Sequence, residues 1–239
     1  MTEAAIKIEK LCKSFSGMRV LDEIDLSIAA GEFTGLIGVN GAGKTTLIKC
    51  LLDFCDVSSG KIEIFGMPNT KKEAREKLVF LPERFMPPYY LTGKDFLVYM
   101  AELHGVEYNP EKVADLTQIL DLDISALSKP VREFSKGMAQ KLGLAACLMS
   151  EKDLMVLDEP MSGLDPKARA YLKQHLIELK QSGKTIFFST HLLADIEVLC
   201  DRIAVLHEGR IRFAGTTEEC TEMFKTENLE SAYLACVGS

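Results

Sequence analysis

The sequence predicts an α/β fold, a core of alternating strands and helices interrupted by an inserted block of helices. Three observations carry this. Short apolar runs followed by helical spacing occur over residues 33–52 and again over 154–199. Residues 5–33 instead alternate apolar and polar side chains at period two. From 91 to 149 the period becomes helical.

Taken in order, Ile6 and Ile8 alternate with lysine and glutamate, and Ile24, Leu26 and Ile28 alternate with polar residues. The stretch 5–33 therefore reads as β. Residues 33–37 are an apolar, strand-like run. Residues 45–52 read as a helix, with Leu47 and Leu51, and Ile48 and Leu52, one turn apart. Ile62, Ile64 and Phe65 mark a further short strand. Residues 78–81 form an apolar strand ended by Pro82, and Pro87-Pro88 stiffens the loop that follows. Thr92 and Asp95 have capping-box spacing ahead of the helical run 96–100. A second amphipathic helix is predicted over 113–122 and a third over 135–149. Residues 154–157 read as a buried strand. Residues 166–181 form a helix stopped by Ser182-Gly183, 186–188 a strand, and 192–199 a helix. Residues 203–206 and 211–213 flank 207–210 as a hairpin, and 216–239 read as short helical or loose segments. The sequence shows no internal repeat and no low-complexity tract.

Composition bounds the function. A chain of 239 residues, 47% hydrophobic, buries one sizeable core. A net charge of −7 argues against a general nucleic-acid-binding face. No run approaches the roughly 18 apolar residues of a membrane span, so a membrane role is expected to act through a partner. The start, Met-Thr-Glu-Ala-Ala, lacks the regions of a signal peptide. Seven cysteines form no CxxC pair and read as reduced, buried thiols of a cytosolic protein.

The chemistry concentrates in a few segments. Gly38-Val39-Asn40-Gly41-Ala42-Gly43-Lys44-Thr45-Thr46 has the spacing glycine, four residues, Gly-Lys-Thr. Glycines let successive N–H groups turn inward around a phosphate. The lysine reaches the β and γ phosphates, and the Thr45 hydroxyl suits Mg²⁺. Strand before and helix after is the context this loop requires, and the helix dipole then faces the phosphates. Asp158 and Glu159 end the apolar run 154–157. Alone they also suit a solvated strand end. Beside a phosphate loop, Asp158 suits Mg²⁺ through water, and Glu159 suits polarising a water for in-line attack on the γ-phosphate. Ser135 is fully explained as a helix N-cap, while Gly137 leaves room for a phosphate near the backbone. Ser162-Gly163-Leu164-Asp165 reads as a turn before Pro166. His191 follows a strand, where it is either structural or a γ-phosphate contact.

As an ordered set these segments resemble the ATP-binding cassette (ABC) family, the nucleotide-binding subunits of ABC transporters, over residues 3 to about 217. Residues 38–46 resemble Walker A, 154–159 Walker B with its catalytic glutamate, 134–138 the signature motif, and 162–165 the D-loop. His191 resembles the switch histidine. The resemblance implies a phosphate-loop NTPase core, a mainly parallel sheet flanked by helices. It also implies an N-terminal antiparallel β subdomain and an inserted α-helical subdomain. Residues 1–89 with 150–217 would form the core, 90–149 the helical subdomain and 218–239 a short C-terminal tail. It implies ATP and Mg²⁺ as cofactors and ATP hydrolysis, with Glu159, His191 and Lys44 as catalytic residues. Phe15, where the family places an aromatic that stacks on adenine, and Val20 join the nucleotide-binding set. So do Asn40, Gly41, Ala42, Gly43, Lys44, Thr45, Thr46, Ser135, Gly137 and Asp165. Thr45, Glu83 and Asp158 would hold the metal. A second cassette, as homo- or heterodimer, and an integral membrane permease are the implied partners, with no nucleic acid. The implied location is the cytoplasmic face of the membrane.

Two departures stand out. The signature reads Phe-Ser-Lys-Gly-Met, with Lys136 for its first glycine and Met138 for its glutamine. The family's Q-loop glutamine is Glu83. Both segments look like variants from export-type (ABC-2-like) cassettes. A non-transport cassette ATPase acting on ribosomes or DNA is the main rival, but such proteins usually carry two cassettes or long heptad insertions. A GTPase or small-molecule kinase is the second. The chain has no Asn-Lys-x-Asp motif, and a kinase needs neither the signature helix nor His191.

Overall fold

A computed structural model describes residues 4–238. Met1 to Glu3 and Ser239 lie outside the described residues, and with them part of the start that the signal-peptide reading used. In chain order the elements are β1 (Ala4–Phe15), β2 (Met18–Ala29), β3 (Phe33–Ile37), α1 (Lys44–Leu51), β4 (Ser59–Ile64), β5 (Met67–Pro68) and β6 (Leu78–Leu81). The helices α2 (Gly93–His104), α3 (Pro110–Ile119) and α4 (Lys136–Met149) follow. Then come β7 (Leu154–Asp158), α5 (Pro166–Gln181), β8 (Thr185–Thr190), α6 (Leu193–Leu199), β9 (Arg202–His207), β10 (Arg210–Gly215), α7 (Thr217–Phe224) and α8 (Leu229–Gly238).

The period-two stretch folds into an antiparallel sheet ordered β2-β1-β4-β5, with Ile6 opposite Ile28 and Ile64, and Ile8 opposite Leu26 and Ile62. The β1–β2 turn uses Ser16 and Gly17 at φ 48 and 84, the positive values that a two-residue hairpin turn needs. Phe65, read as the end of a strand, has φ 47 and belongs with Gly66 to the β4–β5 turn.

The second sheet is ordered β10-β9-β3-β8-β7-β6, parallel except for the β9–β10 hairpin at its edge. Alternation along its buried strands sends side chains to two cores. Phe33, Ile37, Val79, Leu157, Phe188 and Val205 face helices α2–α6 and α8. Leu36, Leu78, Val156, Phe187 and Leu206 face α1 and the antiparallel sheet. The inserted helices share the first core with the sheet rather than forming one of their own.

Caps set the helix bounds. Thr92 and Asp95 form the expected capping box on α2. The second inserted helix, read over 113–122, runs instead over Pro110–Ile119. Asn109 accepts from the N–H groups of Glu111 and Lys112 with Pro110 at the first turn, and Asp121 takes φ 50 just past the end. The stretch read as short helical or loose segments holds α7 and α8. Cys220, Leu229, Ala232 and Cys236 are buried there, in the same core as Phe213 of β10. No disulfide joins any two of the seven cysteines, and burial pushes the Cys50 and Cys147 thiols up to about 12.

Gly35 sits at the centre of β3, where a Cβ atom would lie 2.2 Å from Ile196 Cδ1 and 2.9 Å from Cys200 Sγ on the α6 side. Gly35→Ala is expected to lower the unfolding free energy by about 1–3 kcal/mol through overpacking. Urea unfolding measures this, and a wild-type midpoint would contradict the close approach of β3 and α6.

Candidate functional site

Because the core strands run parallel, their C-terminal ends share one edge of the sheet. Ile37 pairs with Thr190, Asp158 with Ser189, and Leu81 with Leu157. The loops after β3, β6, β7 and β8 therefore emerge side by side, where α/β sheets bind ligands.

The loop from Gly38 to Gly43 is shaped by its glycines. A Cβ on Gly38 would lie 2.4 Å from the Leu206 carbonyl oxygen. Gly43 has φ 111 and precedes α1, which has no side-chain cap and no acid in its first turn. Its first N–H groups and the positive end of its dipole are thus available to an anion. Lys44 is buried, its Nζ donating to Gly38 O at 2.6 Å and lying 3.6 Å from Glu159 Oε1.

Asp158 is 1% exposed and fully engaged. Its Oδ2 accepts from Thr45 Oγ1 at 2.9 Å, and its Oδ1 accepts from Ser189 Oγ at 2.5 Å. The Ser189 oxygen in turn accepts from the Glu159 N–H at 3.0 Å. Glu159 has φ 50, a costly conformation for a side-chain-bearing residue, and is held there by this bond and by its carbonyl, which accepts from Ser162 N at 3.0 Å. His191 Nδ1 lies 2.9 Å from Glu159 Oε2.

These groups line a cavity of about 350 Å³. Val20, Asn40, Gly41, Gly43, Lys44, Thr45 and Thr46 meet there with Glu83, Asp158, Glu159 and His191. Val39 and Ser162 line it too, although sequence reasoning treated the first as a spacer and the second as a turn residue. The one signal for Ser162 in the sequence was the resemblance of 162–165 to the D-loop.

Other residues singled out from the sequence lie elsewhere. Ala42 is buried in the core beneath the loop, its carbonyl accepting from Gly209 N at 3.2 Å. Phe15 is half-exposed, with Lys13 Nζ 4.5 Å from its ring centroid, and is not among the cavity-lining residues. Ser135 caps α4, accepting from Met138 N at 3.2 Å. A Cβ on Gly137 would lie 2.9 Å from Gly163 O, so the space beside it is occupied by the chain's own 162–165 turn. Asp165 caps α5 through Ala168 N–H at 2.9 Å and pairs with Lys141 at 3.0 Å, which together hold its carboxyl down to about 2.

Among the described residues no cluster of three or more His, Cys, Asp or Glu side chains suits a metal ion. Mg²⁺ bound with a phosphate needs fewer, one or two carboxylates plus hard oxygen donors. Thr45 and Asp158 supply that set, and Glu83 lines the same cavity.

Residues 21–162 match the family model described as ABC transporter. An uncharacterized ABC transporter ATP-binding protein of Synechocystis is 38% identical over 202 residues, covering 83% of this chain and 57% of that protein. The bacitracin transport ATP-binding protein of Bacillus licheniformis is 35% identical over 211 residues, covering 86% and 68%. A solved ATP-binding subunit of an ABC transporter superposes with TM-score 0.88 at 30% identity, covering 97% of this chain and 99% of that one. The chain spans less than two thirds of the first two curated relatives it matches, 57% and 59% of their lengths.

Ser189→Ala removes the donor to Asp158 and the acceptor of the Glu159 N–H at a site with no exposure to solvent. A loss of about 2–3 kcal/mol in unfolding free energy is expected from the two groups left unsatisfied. Denaturant unfolding reads it directly, and a change below measurement error would contradict the network.

Proposed function

The chain belongs to the ABC transporter family, and on that premise we propose that it binds and hydrolyses ATP, pairs with a second cassette around the nucleotide, and drives a membrane permease. The observation that carries this reading is the contact chain His191–Glu159–Lys44, 2.9 Å and 3.6 Å, at the mouth of an uncapped helix.

The phosphates would lie along the N–H groups of residues 40–46 with Lys44 compensating their charge. Glu159 would orient the attacking water and take its proton, and His191 would hold the Glu159 carboxylate in place. Three carboxylates (Glu83, Asp158 and Glu159) line the cavity with one lysine, so its charge does not by itself favour a triphosphate. Thr45, Asp158 and Glu83 are the residues that would hold Mg²⁺, which supplies the missing positive charge when bound.

Ser135 and Gly137 do not line the chain's own cavity. We assign them, with Asp165, to the nucleotide of a partner cassette, each chain completing the other's site. The N-terminus of α4 has no acid in its first turn, which suits this role. Phe15 is assigned to the adenine. Residues 1–89 with 150–217 are taken as the nucleotide-binding core, 90–149 as the helical subdomain and 218–239 as the C-terminal tail.

Met86, Tyr89 and Tyr90 are exposed in the loop that carries Glu83, and Tyr99 and Leu103 on α2. Phe85 of the loop packs edge-on against Phe96 of α2, with centroids 5.6 Å apart. This aromatic surface is the proposed contact with the permease, at the cytoplasmic face. No helix among the described residues is long and apolar enough to cross a membrane. The bacitracin transport protein supports a transport role, and we assign export as the direction from the signature and Leu-Pro-Glu variants.

Glu159→Gln is expected to slow ATP turnover by about 10²-fold or more while ATP binding persists and ATP-dependent dimer accumulates. Steady-state hydrolysis with light scattering measures both. Wild-type turnover in the variant would overturn the assignment of Glu159.

A further inference from the structure

The turn that leads from Glu159 to α5 is fastened to α4 by side chains outside the nucleotide cavity. Ser162 N donates to Glu159 O at 3.0 Å and Leu164 N to Met161 O at 3.3 Å, so residues 159–164 fold back on themselves. Gln140 of α4 is buried, and its Nε2 donates to Pro160 O at 3.5 Å. Arg169 of α5 donates to Met161 O at 3.4 Å. The Gly163 carbonyl fills the space where a side chain on Gly137 would stand.

Lys141 closes this junction. Its side chain is only 9% exposed, and its Nζ donates to the Asp121 carbonyl at 2.9 Å and to Asp165 Oδ2 at 3.0 Å, with Asp121 Oδ2 at 3.9 Å. Asp121 lies in the turn after α3 at φ 50, and its Oδ1 pairs with Lys167 Nζ of α5 at 2.7 Å. Two lysines and two aspartates thus clasp three elements, the turn after α3, the first turns of α4 and the start of α5, with no net charge. Burying an ammonium is costly unless its donors are matched. A well-packed apolar side chain often stabilises a fold as well as a buried ion pair does, so stability alone does not call for a lysine here. Its directed bonds fix where the three elements sit relative to one another.

We propose that Lys141, held by Asp121, is a positioning residue for ATP hydrolysis: it fixes the 160–165 turn against α4 and, through that turn, the placement of Glu159. Neither Lys141 nor Asp121 lines the nucleotide cavity. The Glu159 N–H is set from the sheet side by Ser189, and its carbonyl from the turn side by Ser162. Loosening the turn therefore disturbs Glu159 while the glycine loop, Lys44 and the Thr45–Asp158 bond stay in place. Binding persists and the chemical step suffers, because a small displacement of a reacting group is costly to rate. The inference rests on the ATP-hydrolysing reading above. It brings in two residues that no motif in the sequence singled out.

The test compares wild type with Lys141→Met, Lys141→Arg and Asp121→Asn. Methionine keeps an unbranched apolar stem and strands no carboxylate, since Asp165 is exposed and keeps the Ala168 N–H, and Asp121 keeps Lys167. Asparagine tolerates the positive φ at position 121. Three quantities are measured: kcat and KM for ATP with Mg²⁺, Kd for ADP by calorimetry, and the nucleotide-free melting temperature. Lys141→Met is expected to lower kcat about tenfold, with KM, Kd and melting temperature near wild type. Lys141→Arg, which can still reach both carboxylates, recovers most of the rate, and Asp121→Asn lowers kcat in the same direction by less. A wild-type kcat in Lys141→Met would overturn the proposal. So would a rate loss matched by weaker ADP binding and a lower melting temperature, the mark of general loosening. Should Lys141→Met fail to fold, Asp121→Asn decides, and a wild-type kcat there overturns the proposal. A wild-type chain that binds ADP but does not hydrolyse ATP would instead refute the hydrolysis reading itself.

Discussion

One buried hydroxyl ties the site together. Ser189 donates to Asp158 and accepts from the Glu159 N–H, and it does so because β7 and β8 pair in parallel with Asp158 opposite Ser189. A slip of one residue would turn Ser189 to the other face of the sheet and leave two buried polar groups unpaired. The β3–β8 register sets Thr190 beside Ile37, so His191 and the glycine loop leave the sheet together. Asp158 then extends the link to Thr45 at the start of α1.

Around that fixed centre the charges are unbalanced. Glu83, Asp158 and Glu159 face one lysine. Lys44 is held against Gly38 O and near Glu159, so its ammonium already neutralises part of the site. A polyanion is favoured only with added positive charge, from a divalent cation and from helix N-termini. Glu83 sharpens that requirement because a glutamine there would carry no charge. The glycine loop is braced from behind by the β9–β10 turn, leaving its open side to ligand.

Much of the fold was readable because its signals are local. The apolar runs of β3, β6, β7 and β8 are short and bounded by turn residues, and the caps at Thr92 and Ser135 mark helix starts through single side chains. Errors arose where local signals compete. Apolar spacing extended the second inserted helix to 122, but Asn109 and Pro110 start it earlier and the turn at Asp121 stops it. Phe65 looks like a strand residue by hydrophobicity, yet the turn needs its positive φ. The strand β5 and the packing of α7 and α8 left no periodic trace of their own.

The sequence by itself determined which chemical groups are present and in what order, since the glycine loop, the Asp-Glu pair and the histidine are recognisable from residue type and spacing. Only the tertiary structure decided which of them meet. Parallel pairing brings together residues more than a hundred positions apart, such as Thr45 and Asp158, and buries them with defined partners. It also assigned Asp165 to a cap and an ion pair within the chain and put Gly137 against Gly163. Those contacts depend on strand register and helix docking, long-range packing whose energy is spread over the whole core and is not encoded in any local pattern.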